Sequence, residues 1–315
     1  MSTTALPPPT GPVDLSGDPR RQRRERVMGA VFGTAAGASL LISALILIAL
    51  FSKGWEFFTD ADWGTVFGSD NWAPRQGEFS ISTLLVGSLI VTGIAIVVAA
   101  PLGLGAAIYL GEYARPRVRR VLKPILEVLA GVPSVVFGFF ALQWIAPNVV
   151  GRLFGEEAGR GGSMLAAGIG VGILTIPLVA SVSEDAMRSV PDALRQASAG
   201  LGARKMTTSL KVVVPAAVSG IVAALILAMS RAIGETMVVY IAGGAADQAT
   251  FQADPREATL TMTAAMASLA TGSDNVVGAG LAVPSLYFLG IILFFFTLLL
   301  NLLGDRFVRK YRQAY

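Results

Sequence analysis

The chain has 315 residues, of which 53% are hydrophobic and only 15% are charged, whereas about 25% are charged in an average soluble domain. It contains neither histidine nor cysteine, which excludes a disulfide, a zinc site built on these ligands, a cysteine nucleophile and a Ser-His-Asp triad. The formal net charge is +4. So few charges among so many apolar residues predict one membrane domain whose apolar surface faces lipid.

The chain begins with a polar segment, residues 1–26, which contains three consecutive prolines and five arginines. We predict a disordered basic tail that marks the cytoplasmic side of a membrane and does not bind nucleic acid. After it come apolar runs of about 20 residues, long enough to cross a hydrocarbon core of ~30 Å as helices. The predicted fold class is therefore all-α, a polytopic membrane protein with six transmembrane helices. The predicted spans are approximately 27–51, 80–111, 124–147, 164–182, 213–243 and 279–304.

The basic residues indicate the orientation of these spans, because cytoplasmic loops of membrane proteins are enriched in Lys and Arg. With the N-terminus in the cytoplasm, 19 of the 25 basic residues fall in four cytoplasmic segments. The outside segments hold only five basic residues but 11 acidic ones. We therefore predict a multi-pass plasma membrane protein whose N- and C-termini are both cytoplasmic. The cytoplasmic segments are 1–26, 112–123, 183–212 and a basic C-terminal end, 305–315.

Two ionisable residues, Arg231 and Glu235, lie within the predicted fifth span. A charge near the centre of a bilayer costs ~2.5–3.5 kcal/mol on insertion scales, so such residues usually face a cavity and mark a substrate path. Their i, i+4 spacing places both on one face of a helix, where they can pair. Either the pair only fixes helix packing, or Arg231 binds an anion while Glu235 holds and releases its guanidinium.

The cytoplasmic segment 183–212 predicts a short helix that begins near Asp192, after a proline, and stops at Gly200 and Gly202. A compact helix flanked by glycines at the membrane surface is suited to docking in a groove of a partner protein. The phosphate-binding pattern Gly-x-x-x-x-Gly-Lys-[Ser/Thr] is absent from the sequence. We therefore predict neither an ATPase nor any other enzyme in this chain, and no cofactor of its own.

This segment resembles a cytoplasmic motif in the permease subunits of bacterial ABC importers, Glu-Ala-Ala-x3-Gly-x9-Ile-x-Leu-Pro. The glycine, the proline and the nine-residue gap match, while Gln replaces Glu, Ser replaces the second Ala, and Val replaces both aliphatic residues. The matching residues of this chain are Gln196, Ala197, Ser198, Gly202, Val212, Val214 and Pro215.

Three further stretches are similar to phosphate-specific ABC importer permeases. The most specific is Ser-Arg-Ala-Ile-Gly-Glu-Thr-Met, residues 230–237, and the others are 106–114 and 131–138. The resemblance covers about 27–312. The Arg-Ala-Ile-Gly-Glu-Thr stretch is typical of both permeases of that importer, the C-type (PstC) and the A-type (PstA). Met237, the long first outside loop and the basic C-terminal end favour the C-type.

The resemblance implies the transmembrane domain of a type I ABC importer, the MetI-like fold, over residues 27–304. The chain would pair with a PstA-like permease and sit on a dimer of a PstB-like ATPase that binds ATP-Mg. It would receive inorganic phosphate from a PstS-like extracytoplasmic binding protein. Residues 187–205 would form the coupling helix, and Arg231 and Glu235 would match the charged pair of the family. The residues assigned to coupling are Asp192, Gln196, Ala197, Ser198, Gly202 and Pro215.

Several alternatives remain open at this point. The chain could instead be the A-type permease, or the same machine could carry sulfate, molybdate or phosphonate. A protein of a different class, a stand-alone ion channel or secondary transporter, would need no ATPase.

Overall fold

The computed structural model describes residues 19–244, 248–271 and 280–311, so most of the predicted basic tail and the last four residues lie outside the described residues. The chain divides into two units, 1–50 and 51–315. Its described helices are α1 (Pro19–Asp60), α2 (Trp63–Gly68), α3 (Ile81–Ile108), α4 (Pro116–Ala130), α5 (Ser134–Phe140), α6 (Gly151–Phe154), α7 (Glu156–Gly159), α8 (Met164–Arg188), α9 (Asp192–Gly200), α10 (Lys205–Thr208), α11 (Val214–Ala216), α12 (Val218–Ile233), α13 (Met237–Ala242), α14 (Met262–Thr271) and α15 (Ala282–Tyr311).

Three π-helical stretches connect some of these helices: Tyr109–Tyr113 after α3, Ala141–Val150 after α5 and Ser209–Val213 after α10. Residues 19–26, which we expected to be disordered, are helical and form the first turns of α1.

Five of the described helical segments are long and apolar enough to cross a membrane, and a bent pair adds a sixth if its two parts form one span. The structure therefore has five or six candidate spans where six were predicted, and most of them overlap the predicted ranges. The five are Gln22–Asp60, Ile81–Tyr113, Ser134–Phe154, Met164–Arg188 and Ala282–Lys310, and the bent pair is Lys205–Ala216 with Val218–Ile233.

The third span differs from the prediction, because it begins at Ser134 and not near 124. Residues 116–130 form α4, which is amphipathic and has no buried residue. Gly131 ends α4, and Pro133, which lacks a backbone N–H, precedes the first turn of α5. The chain is therefore broken at Gly131 and Pro133, and this break precedes the span.

The predicted fifth span, 213–243, is broken at both ends of α12. The segment Lys205–Ala216 meets α12 at an angle of 69°. At the other end, α12 finishes at Ile233 and α13 begins only at Met237. The three intervening residues hold one of the two charged residues that we expected on a single helix.

Helices α3 and α8 lie in close contact through glycines on both. A Cβ added to Gly103 would come within 2.7 Å of Val179, and one added to Gly168 within 2.7 Å of Ile94. Small residues let helix backbones approach in this way in membrane proteins. The α3–α8 pair therefore forms a tight seam at the centre of the 51–315 unit.

A small antiparallel sheet lies in the segments assigned to the outside. It has the order β2-β1-β3, with β1 at Asn71–Ala73, β2 at Glu78–Phe79 and β3 at Ala249–Thr250. Trp72 of β1 is fully buried and pairs with Phe79 across the strands. The sheet thus ties the loop after α1 to the loop after α13.

Candidate functional site

Arg231 lies in the last turn of α12, and its side chain is exposed in a groove of about 370 Å³. We call this cavity the Arg231 groove. Helix α8 forms one wall of the groove, from Leu174 to Glu184, which is about 15 Å along the helix at 1.5 Å per residue. Its lining includes apolar residues such as Leu126 and Leu178 as well as charged ones, among them Lys123 and Glu184. Among the described residues, no hydrogen bond or ion pair is recorded for Arg231.

Glu235 lies in the gap between α12 and α13 and is only 8% exposed. Its Oε1 accepts a hydrogen bond from the backbone N–H of Val238 at 3.4 Å, so its carboxylate caps the first turn of α13. The backbone carbonyl of Glu235 accepts a hydrogen bond from Oγ1 of Thr263, in α14, at 2.8 Å. The residue is thus held by α13 and α14.

The expected ion pair between Arg231 and Glu235 is not formed in the structure, although both residues are described. The expectation assumed one continuous helix through both residues. Instead, the helix ends at Ile233, and the chain turns at Gly234, a residue of low helix propensity. The turn carries Glu235 off the face of α12 that presents Arg231, so the guanidinium remains available to another anion.

The far end of the Arg231 groove contains a buried carboxylate, Glu184, which is fully shielded from solvent. Its Oε1 accepts a hydrogen bond from Nε of Arg119, and Nζ of Lys123 lies 3.4 Å from its Oε2. Lys123 also donates to Oδ1 of Asp185 at 3.0 Å. These contacts join α4 to the end of α8.

The carboxylates also set the charge of Lys123. Burial lowers the pKa of Lys123, but the hydrogen bond to Asp185 and the negative charge of Glu184 outweigh this effect and leave the pKa above its usual value. Lys123 is therefore a permanent cation at neutral pH.

The predicted coupling segment forms α9 and a glycine turn. Asp192 is the first residue of α9, while Gln196 and Ala197 are exposed on it. Gly202 adopts the left-handed conformation, with φ of +78°, and its N–H donates to the carbonyl of Ala199. This is the geometry that favours glycine after a helix end.

The remaining two coupling residues lie nearby. Oγ of Ser198 is 2.8 Å from Oγ1 of Thr208, which connects α9 to α10. Pro215 is exposed in α11, beside the bend that precedes α12. The structure thus places Ser198 and Pro215 along the connection from α9 to α12.

Sequence reasoning missed the residue that anchors α9, Arg195. Its guanidinium donates to the carbonyls of Met187 and Val190 and to Oε1 of Glu112, at 2.9, 2.6 and 3.0 Å. Glu112 lies in the π-helical stretch after α3, 83 residues away in sequence. No local pattern connects these two charges. Glu184 was also missed, because it was assigned to a loop although α8 continues to Arg188.

Comparison with known proteins identifies relatives over most of the chain. Residues 99–313 match the family described as "Binding-protein-dependent transport system inner membrane component". The phosphate transport system permease protein PstC of Mesorhizobium japonicum is 30% identical, and the alignment covers 88% of this chain and 89% of that protein. PstA 1 of Mycobacterium tuberculosis is 34% identical over 78% of this chain and 76% of that protein.

A solved structure shares the fold at much lower identity. It is a chain of a bacterial alginate ABC transporter, determined with an alginate pentasaccharide-bound periplasmic protein. The match covers 94% of this chain and 98% of that chain, with a TM-score of 0.65 and 14% sequence identity. At this identity the likeness concerns the fold and not the cargo.

Proposed function

The chain belongs to the family of binding-protein-dependent transport system inner membrane components, and from this premise we propose that it is a permease subunit of an ATP-driven phosphate importer. One observation carries the proposal: Arg231 presents a guanidinium without a recorded partner to a groove inside the helical bundle. The planar fork of arginine donates two parallel hydrogen bonds to an oxyanion. The names of the PstC and PstA relatives support phosphate as that oxyanion.

In the proposed mechanism, Arg231 binds phosphate while the permease pair changes between outward-open and inward-open states. Glu235 takes part by capping α13 and by fixing the gap at which α12 ends, which determines where Arg231 points. A cation without a dedicated carboxylate partner binds an arriving anion without first breaking an ion pair. The site also has to release its cargo, so moderate affinity is an advantage.

The partners follow from the same proposal. Helix α9 would seat in a groove of a PstB-like ATPase dimer, which binds ATP-Mg, and a PstA-like permease would complete the path. A PstS-like binding protein would deliver phosphate from outside. The alignment with PstC is longer and that with PstA 1 is more identical, so the C-type is proposed from Met237, the long first outside loop and the basic C-terminal end. The charge bias supports an inner-membrane location with both termini in the cytoplasm.

The decisive experiment replaces the arginine in the reconstituted four-component importer. We expect Arg231→Gln to lower phosphate uptake by about 10- to 100-fold, because a hydrogen bond to a charged group contributes about 1.5–3 kcal/mol. Uptake of labelled phosphate into proteoliposomes measures this, and co-purification of the subunits checks that the complex still assembles.

Arg117→Gln is the matched control, since Arg117 is exposed on α4 and does not line the Arg231 groove. Normal uptake by the Arg231 variant in an assembled complex would refute the proposed role. Competition with sulfate, molybdate and phosphonate tests the cargo. Conductance by the purified chain alone would favour a channel.

A further inference from the structure

The Arg231 groove adjoins a second cavity. This second cavity has a volume of about 570 Å³ and is open to the surface beside α4. Both cavities are lined by Leu110, Lys123 and Glu127, so the two cavities adjoin at these residues. Lys123 therefore lies between the groove that Arg231 lines and the cavity beside α4.

The second cavity is strongly basic, and we call it the basic pocket. Four cations line it, against one carboxylate, that of Glu127. Arg119 is engaged by Glu184, whereas the exposed Arg120 and Arg188 have no recorded ion pair among the described residues. The four cations of the basic pocket are Arg119, Arg120, Lys123 and Arg188.

Lys123 is the cation at the junction of the two cavities. Its side chain is 25% exposed and lines both cavities, while it also contacts the buried Glu184. Its contact with Oε2 of Glu184, at 3.4 Å, is loose, and that buried oxygen has no hydrogen bond in the structure. The lysine ammonium is a compact charge with three donors, and only Asp185 takes one of them at a short distance.

Building on the proposed function, we propose that Lys123 is a second binding station for the phosphate group, between Arg231 and the exit through the basic pocket. A phosphate that leaves Arg231 would meet the ammonium of Lys123 next, and Arg120 and Arg188 after it. The carboxylates of Glu127 and Glu184 beside the station limit its affinity, which favours onward movement.

Two sources share this chemistry, inorganic phosphate and the headgroup of an anionic phospholipid. Inorganic phosphate fits better, because Lys123 lies in the wall that the basic pocket shares with the Arg231 groove. A lipid headgroup would need only the open pocket and its exposed arginines. The experiment therefore includes a lipid arm that separates the two sources.

The absence of native cysteine makes a chemical test possible, because Lys123→Cys introduces a single thiol into this chain. In the reconstituted importer, we expect K123C to lower maximal phosphate uptake by about tenfold, the loss of one charged hydrogen bond. Modification with a methanethiosulfonate carrying an ethylammonium group should restore uptake, and modification with the sulfonate analogue should not. Inorganic phosphate should slow the modification, whereas sulfate at the same ionic strength should slow it less.

R117C is the matched control on the same helix, and its uptake should change little before or after either reagent. Wild-type importer treated in parallel reports any modification of the partner subunits. Unchanged phosphate uptake by K123C would overturn the proposal that Lys123 binds phosphate. Equal responses to the ammonium and sulfonate reagents would also overturn it, since a phosphate site needs a cation. A restored cation would also restore the ion pairs with Glu184 and Asp185, so slower modification in phosphate than in sulfate is the result that separates phosphate binding from a structural role, and equal rates in the two anions would overturn the proposal.

The lipid arm repeats the measurement in vesicles of phosphatidylcholine alone and in vesicles that also contain phosphatidylglycerol. The proposal predicts the same relative loss in both, whereas a loss confined to the anionic vesicles would assign the site to lipid and overturn it. Arg231→Gln separates this inference from the proposed function. If R231Q abolishes uptake and K123C does not, only the second station is refuted, and if R231Q is normal, the phosphate path itself is refuted.

Discussion

Single residues in this protein owe their roles to the partners that they have or lack. Arg231 faces a cavity with no recorded partner in the described part of the chain, while Arg119 and Lys123 face carboxylates. Gly202 owes its role to backbone conformation. With φ of +78° and open space where a Cβ would lie, it is needed for the turn and not for packing.

Gly202→Ala is therefore expected to weaken the association of the chain with its ATPase without unfolding the bundle. A left-handed conformation costs alanine about 1 kcal/mol more than glycine, which corresponds to about fivefold in an equilibrium. Quantitative co-purification of the ATPase with the permease measures the effect.

Gly77→Ala provides the control, because Gly77 has φ of +81° and equally open surroundings in the loop between β1 and β2. Its backbone strain matches that of Gly202, but it lies in a segment assigned to the outside. An equal loss of ATPase in both variants would contradict a specific role of the α9 turn.

Among the elements, α9 is distinguished by how it is held. It has no buried residue, and yet Arg195 ties it to the end of α8 and, through Glu112, to the end of α3. A force applied to α9 therefore reaches α3 and α8 through charged hydrogen bonds, which are stronger than neutral ones. This connection is the physical path on which the proposed coupling to an ATPase depends.

The Arg195–Glu112 contact predicts uncoupling when either partner is changed. Arg195→Gln and Glu112→Gln should each lower phosphate uptake per ATP hydrolysed, and the double variant should be little worse than the more affected single one. Comparing the two single variants with the double variant is a double-mutant cycle. In such a cycle, residues in contact typically show interaction energies of about 0.5–3 kcal/mol. Parallel assays of uptake and ATP hydrolysis provide the ratio.

The control for this cycle is Arg117→Gln, which removes an exposed cation on α4, outside the coupling segment, for which the described residues provide no ion-pair partner. Its uptake per ATP should stay normal. Additive losses in the double variant would mean that Arg195 and Glu112 act independently and that the contact does not transmit force.

The elements also show what the sequence makes predictable. Long apolar runs predicted most of the candidate spans, because a helix needs about 20 apolar residues to cross the hydrocarbon core, but they did not reveal the break before α5 or the bend before α12. The gap that holds Glu235 was not predictable, since an i, i+4 spacing does not reveal that the helix stops at Ile233. The cluster at Glu184 was equally hidden, because Arg119 reaches it from 65 residues away. No local sequence pattern predicts this contact between α4 and α8.

For the molecule as a whole, the MetI-like permease fold that the motifs implied is confirmed by the family match and by the solved ABC transporter chain. The motif of the α9 segment and the Arg-Ala-Ile-Gly-Glu-Thr stretch made this fold predictable. The orientation of the termini stays a prediction from the charge bias, which the absence of cysteine makes testable.

Single-cysteine variants on opposite predicted sides test the topology. A membrane-impermeant maleimide applied to intact spheroplasts should label R160C and leave R204C unlabelled until the membrane is opened. Both arginines lie outside the predicted spans, and the Arg160–Glu156 pair is a surface ion pair of small energetic value, so folding should survive. Wild-type spheroplasts give the background, and labelling in the reverse order would invert the predicted topology.

The seam between α3 and α8 bears on how well the protein prevents ions from leaking across the membrane. Even a methyl group at Gly103 or Gly168 would collide with the facing helix, so neither water nor a hydrated ion fits between the two backbones there. Each elementary charge that crosses a potential of about 100 mV dissipates about 2.3 kcal/mol. A membrane protein with a polar interior therefore needs an insulating wall that stays closed in every state of its transport cycle. The glycine seam provides a closed wall in this structure, because Gly103 packs directly on Val179 and Gly168 on Ile94.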